Sequence, residues 1–476
     1  MSIADILQTA ADYAWGLPLV ILLVGAGILF TSQMMGVQIR AFWHALKVIA
    51  GKFDDPKHKG QITHLQALSA ALSATVGLGN IAGVAVAVTM GGPGAVFWMW
   101  IAGFFGMATK FTTCTLAVMY RKVDDQGRTS GGPMYFIRLG LGENWKYVAG
   151  AFALLGAIAS FGGGNMFQSN QTATILADEF GVPVWLTGII FAGGVAAVII
   201  GGIKRIGAVA SKLVPFMAAV YCLGSIFIIV LHLGEVPHML YQIVHDAFTG
   251  TAAIGGFAGV AFREVLVGGV RRAVFSNEAG LGSAPIAHSA ARTDEPIREG
   301  VVAMLGPFID TIVICTMTAV VILLSGLWTD PSVTGGQVTG IRLTVAAFDS
   351  GMHGFGRYFV ALAVFLFAFS TAISWSYYGE KCVEYLFGEK AVFPYKSIFV
   401  FCVFLGAIWS LGPVINFSDT MLALMAIPNL VGTIALSPRV ARATKDYLAR
   451  LRKGDFYVKA AGGWTTTKVD TSDMDI

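Results

Sequence analysis

Two short glycine-interrupted segments concentrate oxygen-bearing groups inside otherwise apolar sequence. The first is SATVGLGN at residues 73–80, and the second is FSNEAGLGS at residues 275–283. A regular helix disfavours this density of glycine, serine and asparagine, so each segment predicts a break in a helix. Backbone carbonyls freed at a break suit a hard cation such as sodium, and the N–H groups that begin the resumed helix suit a carboxylate. One break can therefore hold both a cation and a carboxylate.

Other features of the chain repeat at the spacing that separates these two segments. That spacing relates the turn GGP at 91–93 to the turn DEP at 294–296, and it relates Gln168 to Thr371. The chain is therefore expected to contain two halves of similar build. For either segment alone, the alternative is that glycine pairs only allow helices to pack closely.

Polar faces are predicted on two further apolar segments. Asn165, Gln168 and Gln171 recur at near-helical spacing, which indicates an amide face able to bind a zwitterion. In FAFSTAISW at 367–375, Thr371 and Trp375 lie one turn apart on one face. The hydroxyl would contact an ion or substrate while the indole closes the apolar end, although packing alone is an equal alternative for the tryptophan.

Two carboxylates, Glu278 and Asp310, lie within apolar sequence. An ionisable group at the bilayer centre costs about 2.5–3.5 kcal/mol on insertion scales, which makes both residues functional candidates. A buried ion pair is the rival interpretation, and its possible basic partners are Lys110, Arg263, Arg271 and Arg272. For Ser276 and Asn277, the alternative to ligand contact is a helix cap or an interhelical hydrogen bond.

The segments that must position these residues are membrane spans. Of 476 residues, 55% are hydrophobic and 13% are charged, whereas soluble domains contain about 25% charged residues. This composition excludes a cytosolic enzyme, makes the lipid bilayer a partner and gives no indication of a nucleic-acid partner. Eleven spans are expected, from charge-free stretches at 13–39, 60–109 (two spans), 148–177, 180–203, 213–234, 358–379, 397–418 and 420–438, and from 257–288 and 300–326.

Lysine and arginine are concentrated in alternate loops, which predicts the orientation of the chain. The basic loops are 40–62, 121–146, 204–212, 289–299, 380–396 and 437–476, whereas the other loops carry only Arg342 and Arg357. The N-terminus is therefore expected outside and the C-terminus in the cytoplasm, in a multi-pass protein of the cell inner (plasma) membrane.

The span count also predicts the domain organisation. Five spans separate the two breaks, and this odd number requires the second half to be inverted, as in secondary transporters with discontinuous helices. We expect one transmembrane domain at 1–438, with a first repeat at about 62–234, an inverted second repeat at about 256–438, and a cytoplasmic tail at 439–476.

Other function classes have weaker support. HExxH, GxSxG and metal-like spacings of histidine and cysteine are absent from the sequence, so we predict that the protein is not an enzyme. The five cysteines lie in or beside spans without a CxxC motif, which favours packing over disulfides or a metal cluster. A channel remains an alternative to a carrier.

Three motifs carry a resemblance to a known family: GGPGAVFWMW at 91–100, GGP at 131–133 and FSNEAGLGS at 275–283. Over nearly its whole length the chain resembles the alanine or glycine:cation symporter family. The resemblance implies an all-α integral membrane protein with the leucine-transporter-type fold, in which the first span is an extra helix before two inverted five-helix repeats. It implies sodium-coupled transport of alanine or glycine into the cell, with a proton-coupled carrier as the alternative and no cofactor besides the coupling ion.

The resemblance also implies site residues. Sodium would be bound by backbone oxygens or hydroxyls of Ser73, Val76, Phe367, Ser370 and Thr371. The amino acid would contact Thr75, Gly77, Gly79, Asn80, Gln168, Ser276, Asn277, Thr371 and Trp375. A second cation would lie at Asn80, Asn277 and Asp310; the acidic Asp310 replaces a neutral amide of related symporters.

Overall fold

The computed structural model describes residues 3–55, 57–249, 258–330, 340–454, 456–460 and 463–466. Within them, eight helices are long and apolar enough to cross a membrane: Ile6–Gln33, Gly94–Met119, Glu143–Phe180, Gly202–Leu231, Pro296–Ser325, Gly356–Phe387, Glu389–Ile408 and Gly412–Lys453. A ninth candidate is a pair of half-helices, His64–Thr75 and Gly79–Gly91, bent by 52°.

Two further predicted spans are not among these helices, because they are too short or too charged to meet the same criterion of length and apolar composition. The helix Val184–Ile199 is apolar but short, and Ala258–Asn277 with Ala284–His288 is interrupted and carries charges. Residues 256 and 257, where the second repeat and the seventh span were expected to begin, lie outside the described residues. The count of eleven spans therefore stays a prediction.

Shorter elements connect the long helices or follow the last of them. They are the helices Val37–Arg40, Phe42–Ile49, Pro133–Leu141, Val236–Thr249 and Ile341–Gly351 and two antiparallel strand pairs, Lys122–Val123 with Thr129–Ser130 and Tyr457–Ala460 with Gly463–Thr466. Large apolar side chains such as Phe216, Phe227 and Phe401 are exposed on the outside of the long helices. Such a surface suits hydrocarbon rather than water, and the chain is a multi-pass membrane protein.

Opposite ends of the two broken helices meet. The backbone N–H groups of Gln61 and Ile62 donate to the carbonyl of Ala290 at 2.9 and 3.2 Å, and Arg292 N–H donates to the carbonyl of Ile62 at 2.7 Å. Residue 62 precedes the first broken helix whereas residue 290 follows the second. The start of the first broken helix and the end of the second therefore lie at the same side of the membrane. Inverted repeats require this arrangement. We call this the basic side, because loops 40–62 and 289–299 lie there.

The remaining helices surround this pair. The half-helix His64–Thr75 packs against Gly202–Leu231 and Gly356–Phe387, and Ala258–Asn277 packs against Gly94–Met119. The N-terminal helix Leu17–Gln33 packs on the outside, against Gly94–Met119 and Leu411–Lys453.

The last helix is longer than the sequence indicated. It runs from Leu411 to Lys453 and contains both Pro428 and Pro438, so the expected tail boundary at Pro438 falls inside it. An interior proline removes one backbone hydrogen bond and crowds the carbonyl four residues earlier, but membrane helices tolerate it because neighbouring helices and Ser/Thr side chains satisfy the freed backbone groups.

Candidate functional site

The first broken helix loses helical geometry at Val76 and Gly77. There the N–H of Gly77 donates to Oδ1 of Asn80 at 2.8 Å, so the asparagine side chain caps the resumed half-helix. Gly79 begins a short π-helical turn, Gly79–Gly83, before the α-helix Val84–Gly91. The sequence SATVGLGN therefore forms the break that its composition predicts.

The second break lies directly against the first. Glu278, Gly280 and Gly282 all have positive φ, at 56°, 92° and 91°, and the carbonyl of Gly280 accepts from Nδ2 of Asn429 at 2.8 Å. A Cβ added to Gly79 would lie 2.8 Å from Cα of Ser276. Glycine is therefore required where the two breaks cross, because any side chain would separate them.

The residues expected to bind sodium gather between the first break and helix Gly356–Phe387. The hydroxyl of Ser73 donates to the carbonyl of Ser370 at 2.7 Å. The hydroxyl of Ser370 in turn lies 3.2 Å from the carbonyl of Ser73 and 2.9 Å from that of Phe367. Val76 directly follows Thr75, the last residue of the first half-helix. These contacts bring hydroxyl and carbonyl oxygens of both helices together.

Thr371 adds a buried oxygen without a partner. Its Oγ1 forms no hydrogen bond within the described residues, its side chain is 2% exposed, and a Cβ added to Gly77 would collide with it. A buried hydroxyl without a partner costs free energy unless an ion or ligand satisfies it. The geometry therefore fits Thr371 as a cation or substrate ligand.

A small cavity of about 20 Å³ lies beside Thr371. Six residues predicted for the substrate line it: Thr75, Gly77, Gly79, Gln168, Thr371 and Trp375. Three others predicted for the substrate, Asn80, Ser276 and Asn277, lie behind the cavity wall, toward Asp310. Among the further lining residues are Gly163, Phe275, Glu278 and Leu422.

Gln168 contributes one free acceptor to this cavity. Its Nε2 donates to the carbonyl of Gly163 at 2.7 Å, whereas its Oε1 has no partner among the described residues. The expected amide face with Asn165 does not form, because Asn165 Nδ2 donates to the carbonyl of Phe399 in helix Val392–Ile408. Asn165 lies within the π-helical turn Gly162–Met166, which changes the helical register ahead of Gln168.

Trp375 lines the cavity and is held by Glu278. Its Nε1 donates to Oε1 of Glu278 at 2.7 Å, and the hydroxyl of Ser283 donates to Oε2 at 2.5 Å. Gly164 packs directly against the indole, with no room for a Cβ. The indole is therefore oriented by a hydrogen bond that the sequence spacing did not predict.

Asp310 is held by neutral donors. Its Oδ1 accepts from Asn80 Nδ2 at 2.7 Å and from the Ser276 hydroxyl at 3.1 Å, and its Oδ2 accepts from the Thr311 hydroxyl at 2.8 Å. Asn277 donates to Thr311 at 2.9 Å, so it approaches Asp310 only through that threonine. The second cation site stays a prediction.

Of the rival ion pairs for Glu278 and Asp310, those with Arg271 or Arg272 are contradicted, whereas the buried Lys110 interacts electrostatically with both carboxylates. Both guanidinium groups contact Oδ2 of Asp419 at 2.6 Å. Arg272 also stacks on the ring of Phe275 at 5.2 Å. The two arginines therefore join helices Ala258–Asn277 and Leu411–Lys453 near the cavity.

Comparisons with known proteins agree with this architecture. The sequence pattern of the sodium:alanine symporter family matches residues 1–460. The sodium/alanine symporter AgcS of Methanococcus maripaludis is 46% identical over 449 residues, which are 94% of this chain and 98% of AgcS. A candidate sodium/proton-dependent alanine carrier protein, YrbD of Bacillus subtilis, is 36% identical over 95% of this chain and 94% of its own.

A solved structure supports the fold. MhsT in complex with L-phenylalanine superposes with a TM-score of 0.52 at 14% identity, over 81% of this chain and 99% of that chain. A likeness at this identity concerns the fold alone. The predicted leucine-transporter-type fold is thus confirmed.

Proposed function

Because the chain belongs to the sodium:alanine symporter family, we propose that it carries alanine or glycine into the cell together with sodium. Cation-coupled amino-acid transport is the activity of the family, which is one of transporters rather than enzymes. The observation that supports this particular proposal is the unpartnered Thr371 hydroxyl, placed between the first break and a cavity of about 20 Å³.

The proposed sodium site lies between Ser73, Val76, Phe367, Ser370 and Thr371. A cation there draws the carbonyls of the first break toward helix Gly356–Phe387, and so orders the N–H groups that receive the substrate carboxylate. The substrate ammonium group meets the free Oε1 of Gln168. Sodium and amino acid thus stabilise the same closed arrangement, which couples their binding.

Closure of the loaded site permits the switch between outward and inward states. Each sodium that enters down a membrane potential of about 100 mV contributes about 2.3 kcal/mol.

We place the protein in the inner membrane of the cell, with the N-terminus outside and the segment 439–476 in the cytoplasm. The two repeats at about 62–234 and 256–438 move against each other around the central site.

Uptake of labelled amino acid into proteoliposomes tests this proposal. Sodium, potassium and proton gradients are imposed one at a time at matched membrane potential, with alanine, glycine and leucine as substrates. We expect uptake of alanine or glycine only with the sodium gradient. Uptake driven by a proton gradient alone would replace the proposal by the proton-coupled carrier, for which the buried Asp310 is the supporting feature.

Asp310→Asn tests the proposed second cation site. The amide keeps an oxygen for Asn80 but removes the negative charge, so a cation bound at Asp310 would lose its main electrostatic partner. We expect fewer charges to enter per amino acid in the variant, with a near-normal folded yield. The ratio of current to uptake in proteoliposomes measures this number.

The matched control is Asp178→Asn, which removes a half-exposed carboxylate that pairs with Arg342 at 3.1 Å. We expect its charge ratio to equal that of the unmodified protein. An unchanged ratio in Asp310→Asn as well would assign Asp310 to the structural network of Asn80, Ser276 and Thr311.

A further inference from the structure

A second cavity, of about 720 Å³, lies at the basic side, and we call it the basic-side cavity. Gln61, just before the first broken helix, is in its wall, and so are exposed residues such as Arg128 and Glu389. Tyr377 and Lys381 also line it, although they are only 2% and 9% exposed. The basic-side cavity therefore extends from water into the interior of the protein.

The buried part of its wall belongs to the helix that carries Thr371, Gly356–Phe387. Four polar side chains of the wall recur at intervals of three and four residues and so share one side of this helix: Tyr377, Glu380, Lys381 and Glu384. With a rise of about 1.5 Å per residue, Tyr377 lies about 9 Å beyond Thr371 along the helix axis, toward the basic side. The basic-side cavity is therefore on the side to which the proposed transport delivers its substrate.

Two hydrogen-bond donors in this wall are unused. The hydroxyl of Tyr377 has no partner within the described residues, and a buried hydroxyl without a partner costs free energy unless a ligand or water satisfies it. Nζ of Lys381 lies 5.8 Å from the centre of the same ring. It donates to Oε2 of Glu384 at 2.7 Å and to the Ser130 hydroxyl at 3.3 Å, which leaves one of its three N–H groups free.

Charges of both signs are balanced in the wall. It contains four acidic and four basic side chains: Asp124, Glu380, Glu384 and Glu389 with Lys122, Arg128, Lys204 and Lys381. An ion of a single charge would meet attraction and repulsion alike, whereas a molecule that carries both charges can place each beside its opposite. The basic-side cavity therefore suits a zwitterion.

We propose that the basic-side cavity is a second binding site, which takes the zwitterion of an α-amino acid. The carboxylate of the ligand accepts from the Tyr377 hydroxyl and from the free N–H of Lys381. Its ammonium group donates to Glu384, whose oxygens each keep a second lone pair. The choice of an amino acid among zwitterions rests on the proposed function. A cavity of about 720 Å³ also accepts side chains larger than methyl, so leucine binds here as alanine does.

Counting bound alanine separates this site from the one beside Thr371. Purified protein in detergent is dialysed to equilibrium against labelled alanine at saturating sodium, without and with excess unlabelled leucine. We expect two alanines per chain, of which leucine displaces one, because Trp375 keeps leucine out of the site beside Thr371. A single alanine that leucine does not displace would overturn the second site and leave the proposed function intact. A single alanine that leucine does displace would retain the second site and contradict the proposed one beside Thr371.

Tyr377→Phe tests where leucine binds, since it removes only the hydroxyl. Tyr378→Phe is the matched control, because Tyr378 is equally buried and its hydroxyl also lacks a partner within the described residues, but it does not line the cavity. We expect the leucine concentration for half-displacement to rise about tenfold in Tyr377→Phe and to change less than about twofold in Tyr378→Phe. Equal concentrations in the two variants would overturn the proposal.

Ligand analogues test the zwitterion with the unmodified protein. Isocaproate lacks the ammonium group of leucine, and isoamylamine lacks its carboxylate. We expect each to need at least about tenfold more than leucine to displace the alanine. Displacement by either analogue as readily as by leucine would overturn the proposal. Glycerophosphoethanolamine carries the zwitterion of a phospholipid headgroup, and displacement by it but not by leucine would assign the cavity to lipid instead.

Discussion

Thr371→Val is expected to raise the sodium concentration for half-maximal amino-acid uptake by on the order of tenfold to a hundredfold. Valine keeps the shape of threonine but removes the buried oxygen that has no protein partner. A polar contact with a charged group contributes about 1.5–3 kcal/mol, which sets the size of the effect. Because the same hydroxyl faces Gly77 at the first break, the apparent affinity for the amino acid should fall as well.

Thr371→Ser is the matched control for this prediction. Serine keeps the oxygen and loses only a methyl group, so its sodium dependence should stay within about threefold of that of the unmodified protein. Initial rates of labelled alanine uptake into proteoliposomes, measured across sodium concentrations, give both values. A Thr371→Val protein that folds normally and keeps the original sodium dependence would place the sodium site elsewhere.

The broken helices could be predicted because their signal is local. Glycine, serine and asparagine within nine residues are incompatible with a continuous helix in lipid unless protein or ligand satisfies the backbone. The second break uses positive φ at Gly280 and Gly282, as its glycines indicate. The inverted arrangement followed from the number of apolar segments, and the family predicted from the motifs is confirmed by the match over residues 1–460.

Contacts between distant segments could not be predicted in this way. Spacing along a helix placed Trp375 beside Thr371, but it gave no indication that Glu278 binds the indole, because these residues meet only after helices pack. For the same reason the partner of Arg271 and Arg272 proved to be Asp419, far along the chain. The π-helical turn Gly162–Met166 shifted the register that related Asn165 to Gln168.

Glu299 contacts both His64 and His288 at the basic side. This buried cluster illustrates a different limit of prediction from sequence. His64 and His288 each stand alone in apolar sequence, so no local pattern marks them as a pair. Their common partner Glu299 follows the second turn motif and enters a charge-poor helix. Only the inverted repeats, which bring residue 62 beside residue 291, place these three side chains together.

Trp375→Ala is expected to change which amino acids the protein transports. The indole lines the cavity beside Thr371 and occupies the space into which a longer substrate side chain would extend, so in the unmodified protein only a hydrogen or methyl side chain should fit beside it. Its removal should admit valine and leucine, and each methylene that gains apolar contact contributes roughly 1–3 kcal/mol. Glycine and alanine should bind more weakly, because they lose contact with the ring and Glu278 loses a donor.

Trp375→Phe separates the loss of contact with the ring from the loss of the donor to Glu278. Phenylalanine keeps most of the bulk but cannot donate to Oε1 of Glu278, which the indole Nε1 reaches at 2.7 Å. A buried acceptor without its donor costs about 1–3 kcal/mol, so alanine uptake should weaken while the size ranking remains. Competition by glycine, alanine, serine, valine and leucine against labelled alanine measures both effects. If well-folded Trp375→Ala protein keeps the original size ranking, the tryptophan packs the helices and another residue, with Phe275 and Leu422 the nearest candidates in the cavity wall, must limit substrate size.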